Sequence, residues 1–213
     1  MKTVIKCKSR EEWLAKRTEV GIGASEAASI VGLSPWCSKL ELWKQKTGTS
    51  KPKDLSDNTA VEQGNRMEPA LRELFKAQHP ECKVAYHQYD LIAQKELPWL
   101  FATLDGEITD KDGRHGVLEI KTATPGTQAN WEKWNGKVPN NYYVQILHQL
   151  LATGYDFAIL YAALFGLNGE PQIRQYEFER ADCKNDMEWL LGEEKAFMES
   201  IRNRKMVGTI LTL

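Results

Sequence analysis

Leu104-Asp105-Gly106-Glu107, followed fourteen residues after Asp105 by Glu119-Ile120-Lys121, decides how this sequence is read. The two pieces read as the arms of one β-hairpin. Between them lies the turn-like run Asp110-Lys111-Asp112-Gly113. A three-residue loop of Lys111, Asp112 and Gly113 would place glycine at the left-handed position such loops need. Counting outward from Asp112, Asp105 falls opposite Glu119. Directly paired cross-strand residues have Cβ atoms about 5 Å apart, and two like charges there repel. A divalent cation between them would turn that repulsion into binding, because hard cations take oxygen ligands. Lys121, two residues past Glu119, projects from the same face of the strand. Two carboxylates and a lysine converging on one point suit metal-assisted attack on a phosphodiester.

A solvated surface hairpin would carry the same letters. With 29 acidic and 28 basic residues in the chain, a Glu-x-Lys triplet alone decides nothing. Its surroundings favour the buried reading: Val117 to Lys121 is mostly apolar, and Trp99-Leu100-Phe101-Ala102-Thr103-Leu104 leads into Asp105. Charges set in strands this hydrophobic need a partner. On this region alone the metal site and the surface hairpin stand level.

Outward from the hairpin, taken as Phe101 to Lys121, the pattern alternates between strands and helices. Lys83 to Ile92 reads as a loose strand. Thr59 to Gln78 reads as a long helix with Leu71, Leu74 and Phe75 on its buried side and Pro69 as a kink or break. Ser38 with Glu41 caps a helix through Lys46 that Gly48 stops. Lys51 to Asp57 is a polar loop. Ser9 to Glu12 is a capping box for a helix over Glu11 to Arg17. Gly21-Ile22-Gly23-Ala24-Ser25-Glu26 is a tight loop opening a short helix that Gly32 ends. Downstream, Asn130 to Trp134 and Asn140 to Thr153 look helical, the latter with Ile146, Leu147, Leu150 and Leu151 on one side. Phe157 to Phe165 fits a strand buried on both faces, with Ile173 to Phe178 as its companion. Asp182 to Arg204 is an amphipathic helix with Trp189, Leu190, Ala196, Phe197 and Ile201. The expected fold is α/β (α+β): a central mixed β-sheet flanked by helices. One domain over 1–213 is expected, with a helical part to about residue 80, a sheet core over about 81–180 and a C-terminal helix over about 181–205.

Composition narrows the class without choosing a function. Hydrophobic residues make 42% and charged residues 27% of the 213, ordinary for a soluble globular protein. No apolar run reaches membrane-span length, and the N-terminus lacks a signal-peptide core, so no membrane association and a cytoplasmic location are expected. Cys7, Cys37, Cys82 and Cys183 lack C-x-x-C spacing and read as reduced thiols. The formal net charge of −1 neither suggests nor excludes nucleic acid, since a basic channel can coexist with an acidic exterior.

Three further segments carry candidate chemistry. Glu68, beside the Pro69 position, would point inward as a third carboxylate or outward on a solvated face. Tyr142, Gln145 and Gln149 share one helix face, offering uncharged hydrogen-bonding groups to water or phosphate, or simply a polar outer face. The Gly21 to Glu26 loop, with the Ser25 hydroxyl and nearby Arg17, makes a phosphate seat at a helix start, with Ser25 as a plain N-cap the competing reading. Trp36, Trp43, Trp131 and Trp134 read either as base-stacking wedges or, as is commoner for tryptophan in an amphipathic segment, as core or interface residues, and Trp36, near the glycine-rich loop, is the candidate for strand separation.

In this order and at these spacings, Gly-Ile-Gly-Ala-Ser at 21–25, Gly-x-x-x-Glu-Pro at 64–69, Leu-Asp-Gly at 104–106, Glu-Ile-Lys at 119–121 and Tyr-Tyr-x-Gln at 142–145 resemble one family. It is the YqaJ-type viral recombinase family, which includes the phage lambda exonuclease and belongs to the PD-(D/E)xK nuclease superfamily. The resemblance covers roughly Trp13 to Phe165. It implies a restriction-endonuclease-like core and degradation of linear double-stranded DNA from a 5′ end, dependent on Mg²⁺ with Mn²⁺ substituting. The product would be a 3′ single strand for an annealing protein, in the cytoplasm of a bacterial host of a phage or prophage. By position, Asp105, Glu119 and the Ile120 carbonyl would bind metal, and Glu68 would stand near a second metal. Lys121 would orient or help deprotonate water, with Gln145 completing the polar shell. Ser25, Arg17, Thr103 and Tyr142 would contact DNA, Ser25 and Arg17 at its 5′ phosphate. Relatives form a ring-shaped homotrimer that threads DNA. Leu104 replaces the superfamily's proline, Arg17 stands one residue farther from the glycine-rich run than the family's arginine, and residues 122–128 lack an arginine some relatives have. Endonuclease or repair-nuclease activity on the same fold and a non-catalytic DNA-end-binding module are the alternatives. Alanine at Asp105, Glu119 or Lys121 is expected to abolish cleavage and spare folding, and loss of carboxylate repulsion to raise the melting temperature without metal.

Overall fold

The hairpin forms around the turn read from the sequence. In the computed structural model, which describes residues 2–54, 57–166 and 169–206, Gly113 takes φ +80° and its N–H donates to Asp110 O at 3.1 Å. In chain order the first elements are β1 (Lys2–Lys6), α1 (Arg10–Val20), β2 (Ile22–Gly23), α2 (Ala27–Ile30), α3 (Lys39–Lys46) and α4 (Thr59–Gln78). Next come β3 (Lys83–Ala85), β4 (Asp90–Gln94), β5 (Leu100–Ala102), β6 (Gly106–Thr109), β7 (His115–Ala123) and α5 (Gln128–Glu132). The last are α6 (Asn140–Thr153), β8 (Phe157–Phe165), β9 (Pro171–Glu179) and α7 (Lys184–Arg202).

The described strands make two mixed sheets, where one was expected. The first has the order β1-β4-β5-β2, with β2 parallel to β5, and the second β3-β6-β7-β8-β9, with β7 parallel to β8. The expected strand over Lys83 to Ile92 is in fact two. The chain turns at Tyr89, a non-glycine residue at φ 67°, so β3 pairs with β6 and β4 pairs with β1 and β5. The hairpin's leading arm is divided in the same way: β5 belongs to the first sheet and β6 to the second. Asp105 therefore sits where the chain crosses between sheets. Strand β1, which carried no periodic signal, is held by a five-residue register against β4.

The strict alternation of β7 divides the interior. Leu118 and Ile120 pack with Leu71 and Phe75 of α4 and with Ile159 and Tyr161 of β8. Val117, with Ala158 and Leu160 of β8, joins Ile146, Leu147 and Leu150 of α6, and this cluster also takes in Ile92, Leu100 and Ala102 from the first sheet. Helix α6 thus packs against both sheets. Residues Phe157 to Leu164 are all buried, as their apolar run requires of a strand covered on both faces.

Helix faces follow spacing more closely than composition. Met187, Leu190, Glu194 and Phe197 form the inward stripe of α7 at intervals of three and four, which leaves Trp189 54% exposed and Ala196 exposed as well. On α4, Leu74 is exposed and Arg72 is turned inward. Pro69 does not break α4, which runs unbroken from Thr59 to Gln78; its missing donor removes one hydrogen bond from a twenty-residue ladder. The helix expected at Asn130 starts at Gln128, because Thr127 caps it by accepting from the Asn130 N–H. The polar run after α3 is described at residues 51–54 and 57, since 55–56 lie outside the described residues. All four cysteines are free.

One buried pair fastens α6 to α7. His148 Nδ1 lies 2.6 Å from Glu194 Oε1 and Nε2 lies 3.0 Å from the Phe101 carbonyl, both side chains being fully buried. Two acceptors face the ring, so both nitrogens carry protons. Burial alone would lower the His148 pKa, but the Glu194 charge and hydrogen bond outweigh it and the pKa is raised. A raised folded-state pKa contributes stability in full below the unfolded value, about pH 6.5. That contribution disappears as pH rises through the folded value. Glu194→Gln is expected to lower Tm at neutral pH and to flatten its alkaline decline, measured by thermal melts across pH. Parallel Tm–pH curves for the two proteins would contradict the charged pair.

Candidate active site

Asp105 stands one residue before the first hairpin pair, Gly106 with Leu118, so the same register sets it opposite Glu119. Glu119 points to the α6 side of β7 and is 2% exposed. Its Oε1 accepts from Lys121 Nζ at 2.5 Å and from Gln145 Nε2 at 2.6 Å. Its Oε2 accepts a short bond from Gln149 Nε2. The two glutamines come one turn apart on α6, whose apolar side anchors it in the core. Asp105 Oδ2 accepts the Ile120 N–H at 2.7 Å, so the aspartate side chain takes a backbone bond just where the β6 ladder ends.

A third carboxylate arrives from α4. Arg72, buried one turn after Glu68, donates from Nη2 to Glu68 and from Nε to the Asp105 carbonyl at 2.5 Å. Its guanidinium lies 3.6 Å from the centre of the Tyr86 ring. Arg72 thereby positions Glu68 and the Asp105 backbone together. The sequence reading missed it, although a Glu68–Arg72 pair at i,i+4 is a helix signal.

The charges of the cluster act on one another. Burial first, and then the Glu119 and Glu68 charges, push the Asp105 carboxyl well above the usual aspartate range. Burial raises Glu68 too, against the pull of Arg72. Burial would depress Lys121, but Glu119 and Asp105 hold it above the ordinary lysine value, as an ammonium. Tyr142 lies on the far side of that ammonium, its ring centre 5.3 Å from Lys121 Nζ, and burial raises its hydroxyl.

Among the described residues no group of three or more His, Cys, Asp or Glu side chains stands ready to hold a metal ion. In this arrangement Lys121, Gln145 and Gln149 occupy both oxygens of Glu119. The three carboxylates that act on one another, Asp105, Glu119 and Glu68, are nevertheless all oxygen donors, the kind a hard divalent cation takes. Desolvation, and after it the neighbouring Glu119 and Glu68 charges, lifts Asp105, and a cation would relieve the crowding of charge.

A second cluster adjoins the first through Thr103. Arg17 Nη2 donates to Ser25 Oγ at 3.1 Å, and its guanidinium lies 4.6 Å from the centre of the Trp13 ring. Trp13 Nε1 donates to Thr103 Oγ1 at 3.0 Å, two residues from Asp105. Burial lowers the Arg17 pKa. The loop is set by Gly21, at φ +148°, where a Cβ would fall 2.1 Å from the Trp99 carbonyl oxygen. Ser25 is not the helix cap. The Gly23 N–H is taken by Glu26 Oε2 at 2.9 Å, which leaves the serine hydroxyl to Arg17. Trp13 is the second residue the sequence reading missed, four residues before Arg17 on α1.

These residues fall inside a recognised family segment. Residues 12–156 match the YqaJ-like viral recombinase domain. The chain belongs to the YqaJ-like viral recombinase family. The matched segment contains every residue of both clusters; α7 lies beyond it. The uncharacterized protein YqaJ of Bacillus subtilis (strain 168) is 31% identical over 179 residues, which are 84% of this chain and 53% of that relative. The chain thus spans about half the length of that YqaJ protein. Among solved structures, the alkaline exonuclease LHK-Exo of Laribacter hongkongensis superposes with a TM-score of 0.65 at 22% identity, over 91% of this chain and 93% of that one. LHK-Exo has also been solved in complex with dAMP. A phage-related exonuclease from Haemophilus somnus 129PT follows at TM-score 0.57 and 11% identity, over 87% and 96% of the two chains. The YqaJ-like chain therefore shares the fold of alkaline exonucleases. No helix among its described residues is long and apolar enough to cross a membrane.

Proposed function

We propose that the chain is a metal-dependent 5′-to-3′ exonuclease that degrades one strand of linear double-stranded DNA to mononucleotides. The 3′ single strand it leaves would serve a single-strand annealing protein in phage-type recombination. One observation carries this reading: in a YqaJ-family chain, a buried Glu119 opposite Asp105 is bonded at once to Lys121, Gln145 and Gln149. A restriction-endonuclease-like core, a single domain, a homotrimeric ring and action in the cytoplasm of a phage or prophage host belong to the same proposal.

Asp105, Glu119 and the Ile120 carbonyl would hold Mg²⁺, or Mn²⁺ in its place, with Glu68 beside a second ion. Such a cation, when bound, neutralises phosphate charge and lowers the pKa of water. Lys121, kept as an ammonium, offers its protons to the attacking water or to the charge developing on the phosphate. Gln145 holds Glu119 in place and presents an uncharged amide to the same region. Arg17 and Ser25 receive the terminal 5′ phosphate, the guanidinium held over the Trp13 ring for a charge-assisted contact. Thr103 acts through Trp13, to which its hydroxyl is bonded. Tyr142 lines the DNA side of Lys121.

Incubation with linear and covalently closed DNA in Mg²⁺ tests the reading. Linear duplex should disappear while the closed circle survives. Nicking of the circle would indicate an endonuclease, and binding of ends without degradation an end-binding module. For the phosphate seat, Arg17→Ala is expected to reduce the rate ratio between 5′-phosphoryl and 5′-hydroxyl ends to about one. A charged contact of this kind is worth about 1.5–3 kcal/mol, so the native ratio should be tenfold or more. An unchanged ratio would remove Arg17 from the seat.

A further inference from the structure

Trp36 is the most exposed large apolar side chain among the described residues, at 73%, and it stands beside the catalytic cluster. The loop that carries it is tied at both ends. Leu33 and Ser34 N–H groups both donate to Ala28 O, at 2.8 and 3.1 Å, and Ser34 Oγ accepts from the N–H groups of Trp36 and Cys37. Ser38 then caps α3. The indole is therefore presented by a hydrogen-bonded loop. Its ring centre lies 6.3 Å from that of Tyr142, tilted by 41°, and Tyr142 in turn lies 5.5 Å from buried Trp134 and 5.3 Å from Lys121 Nζ. The three rings run from exposed Trp36 through half-buried Tyr142, beside the lysine, to buried Trp134.

Resting on the nuclease reading, we propose that Trp36, supported by Tyr142, is a stacking platform for the base of the terminal nucleotide on the strand being cut. An exposed flat aromatic beside a phosphate-processing centre is matched by a ligand with a π-face next to a phosphate. Such stacking tolerates any base. Trp36 is thus a positioning residue: it fixes the terminal nucleotide while Arg17 and Ser25 hold its phosphate. The other occupant that suits an exposed apolar segment is a second copy of this chain, since Leu33 and Leu40 nearby are 41% and 46% exposed.

The test uses duplexes with 2-aminopurine, or an abasic residue, at the 5′-terminal position of either strand end. Wild-type protein should quench 2-aminopurine on the 5′ strand and cut abasic ends roughly tenfold more slowly than normal ones, from about 1–3 kcal/mol per stacked base. Trp36→Ala should lose the quenching and cut both ends at the same reduced rate, while Trp36→Phe restores both effects. Retained quenching and retained discrimination in Trp36→Ala, or quenching only on the 3′ strand, would overturn the platform. A changed oligomeric state of Trp36→Ala by light scattering, with discrimination intact, would overturn it in favour of a subunit contact. Absence of any degradation by the wild-type protein would instead refute the nuclease reading.

Discussion

Replacing Asp105 by asparagine is expected to abolish DNA degradation and, at the same time, to raise the melting temperature of the metal-free protein. The two effects have one cause. Asp105 is half-buried beside Glu119 and Glu68, and desolvation, followed by those two charges, pushes its carboxyl well above the usual range. Its unfolded-state pKa is about 3.9. Between that value and the raised folded value, the folded chain holds more protons than the unfolded chain, so stability falls as pH rises through this window. At neutral pH this carboxyl, whose charge is opposed by desolvation and by two neighbouring carboxylates, is a burden when no cation is present. Asparagine keeps an oxygen for the Ile120 N–H and carries no charge. Relief of about 1 kcal/mol would raise Tm by about 3 °C in a chain of this size, and the acid-side slope of Tm should flatten. Activity, which needs the carboxylate as a cation ligand, should fall by roughly a thousandfold or more. A lower Tm with unchanged pH slope would contradict the crowding of charge at this site.

The opposite stability effect is expected at Glu119, although the two carboxylates face each other across one hairpin. Glu119→Ala removes the acceptor for Lys121, Gln145 and Gln149 at once. A largely covered ammonium, 21% exposed, and two amides then lose their partner. Breaking a buried ion pair in this way costs about 3–5 kcal/mol, or roughly 10 °C in Tm. From the sequence, alanine at either carboxylate looked equally harmless to folding; the hydrogen bonds to Glu119 separate the two positions. Adding Lys121→Met to Glu119→Ala should recover part of the loss, because an apolar side chain needs no counter-charge. Denaturant melts of the single and double variants measure this. Equal stability of Glu119→Ala and the native protein would mean that the buried network contributes nothing.

What the sequence made legible is where one strong local rule operates. The Gly113 turn sets the hairpin register by counting, and with it the opposition of Asp105 and Glu119. The bounds of α3, α4, α6 and β8 followed from capping residues, a stopping glycine and unbroken apolar periodicity. The division into two sheets was hidden, because β3, β4 and β5 are three to five residues long and the turn between β3 and β4 rests on Tyr89 in a conformation its residue type does not advertise. At the site, residues tied to a spacing were readable: Lys121 two positions from Glu119, and Gln145 and Gln149 on one face of α6. Arg72 and Trp13 were not, since each does its work by holding another residue: Arg72 fixes Glu68 and the Asp105 carbonyl, and Trp13 backs Arg17 and bonds Thr103. Such contacts depend on which helix packs over which strand, and no local pattern carries that information.

The most direct measurement is digestion of a linear duplex labelled separately on each strand, with 5′-phosphoryl or 5′-hydroxyl ends, by the wild-type and Asp105→Asn proteins in Mg²⁺. Release of mononucleotides from the 5′-terminated strand only, faster from phosphorylated ends and absent with Asp105→Asn, is the expected result. Release at the normal rate by Asp105→Asn, or no release by the wild-type protein despite tight binding to ends, would contradict the assignment of this cluster as a nuclease centre.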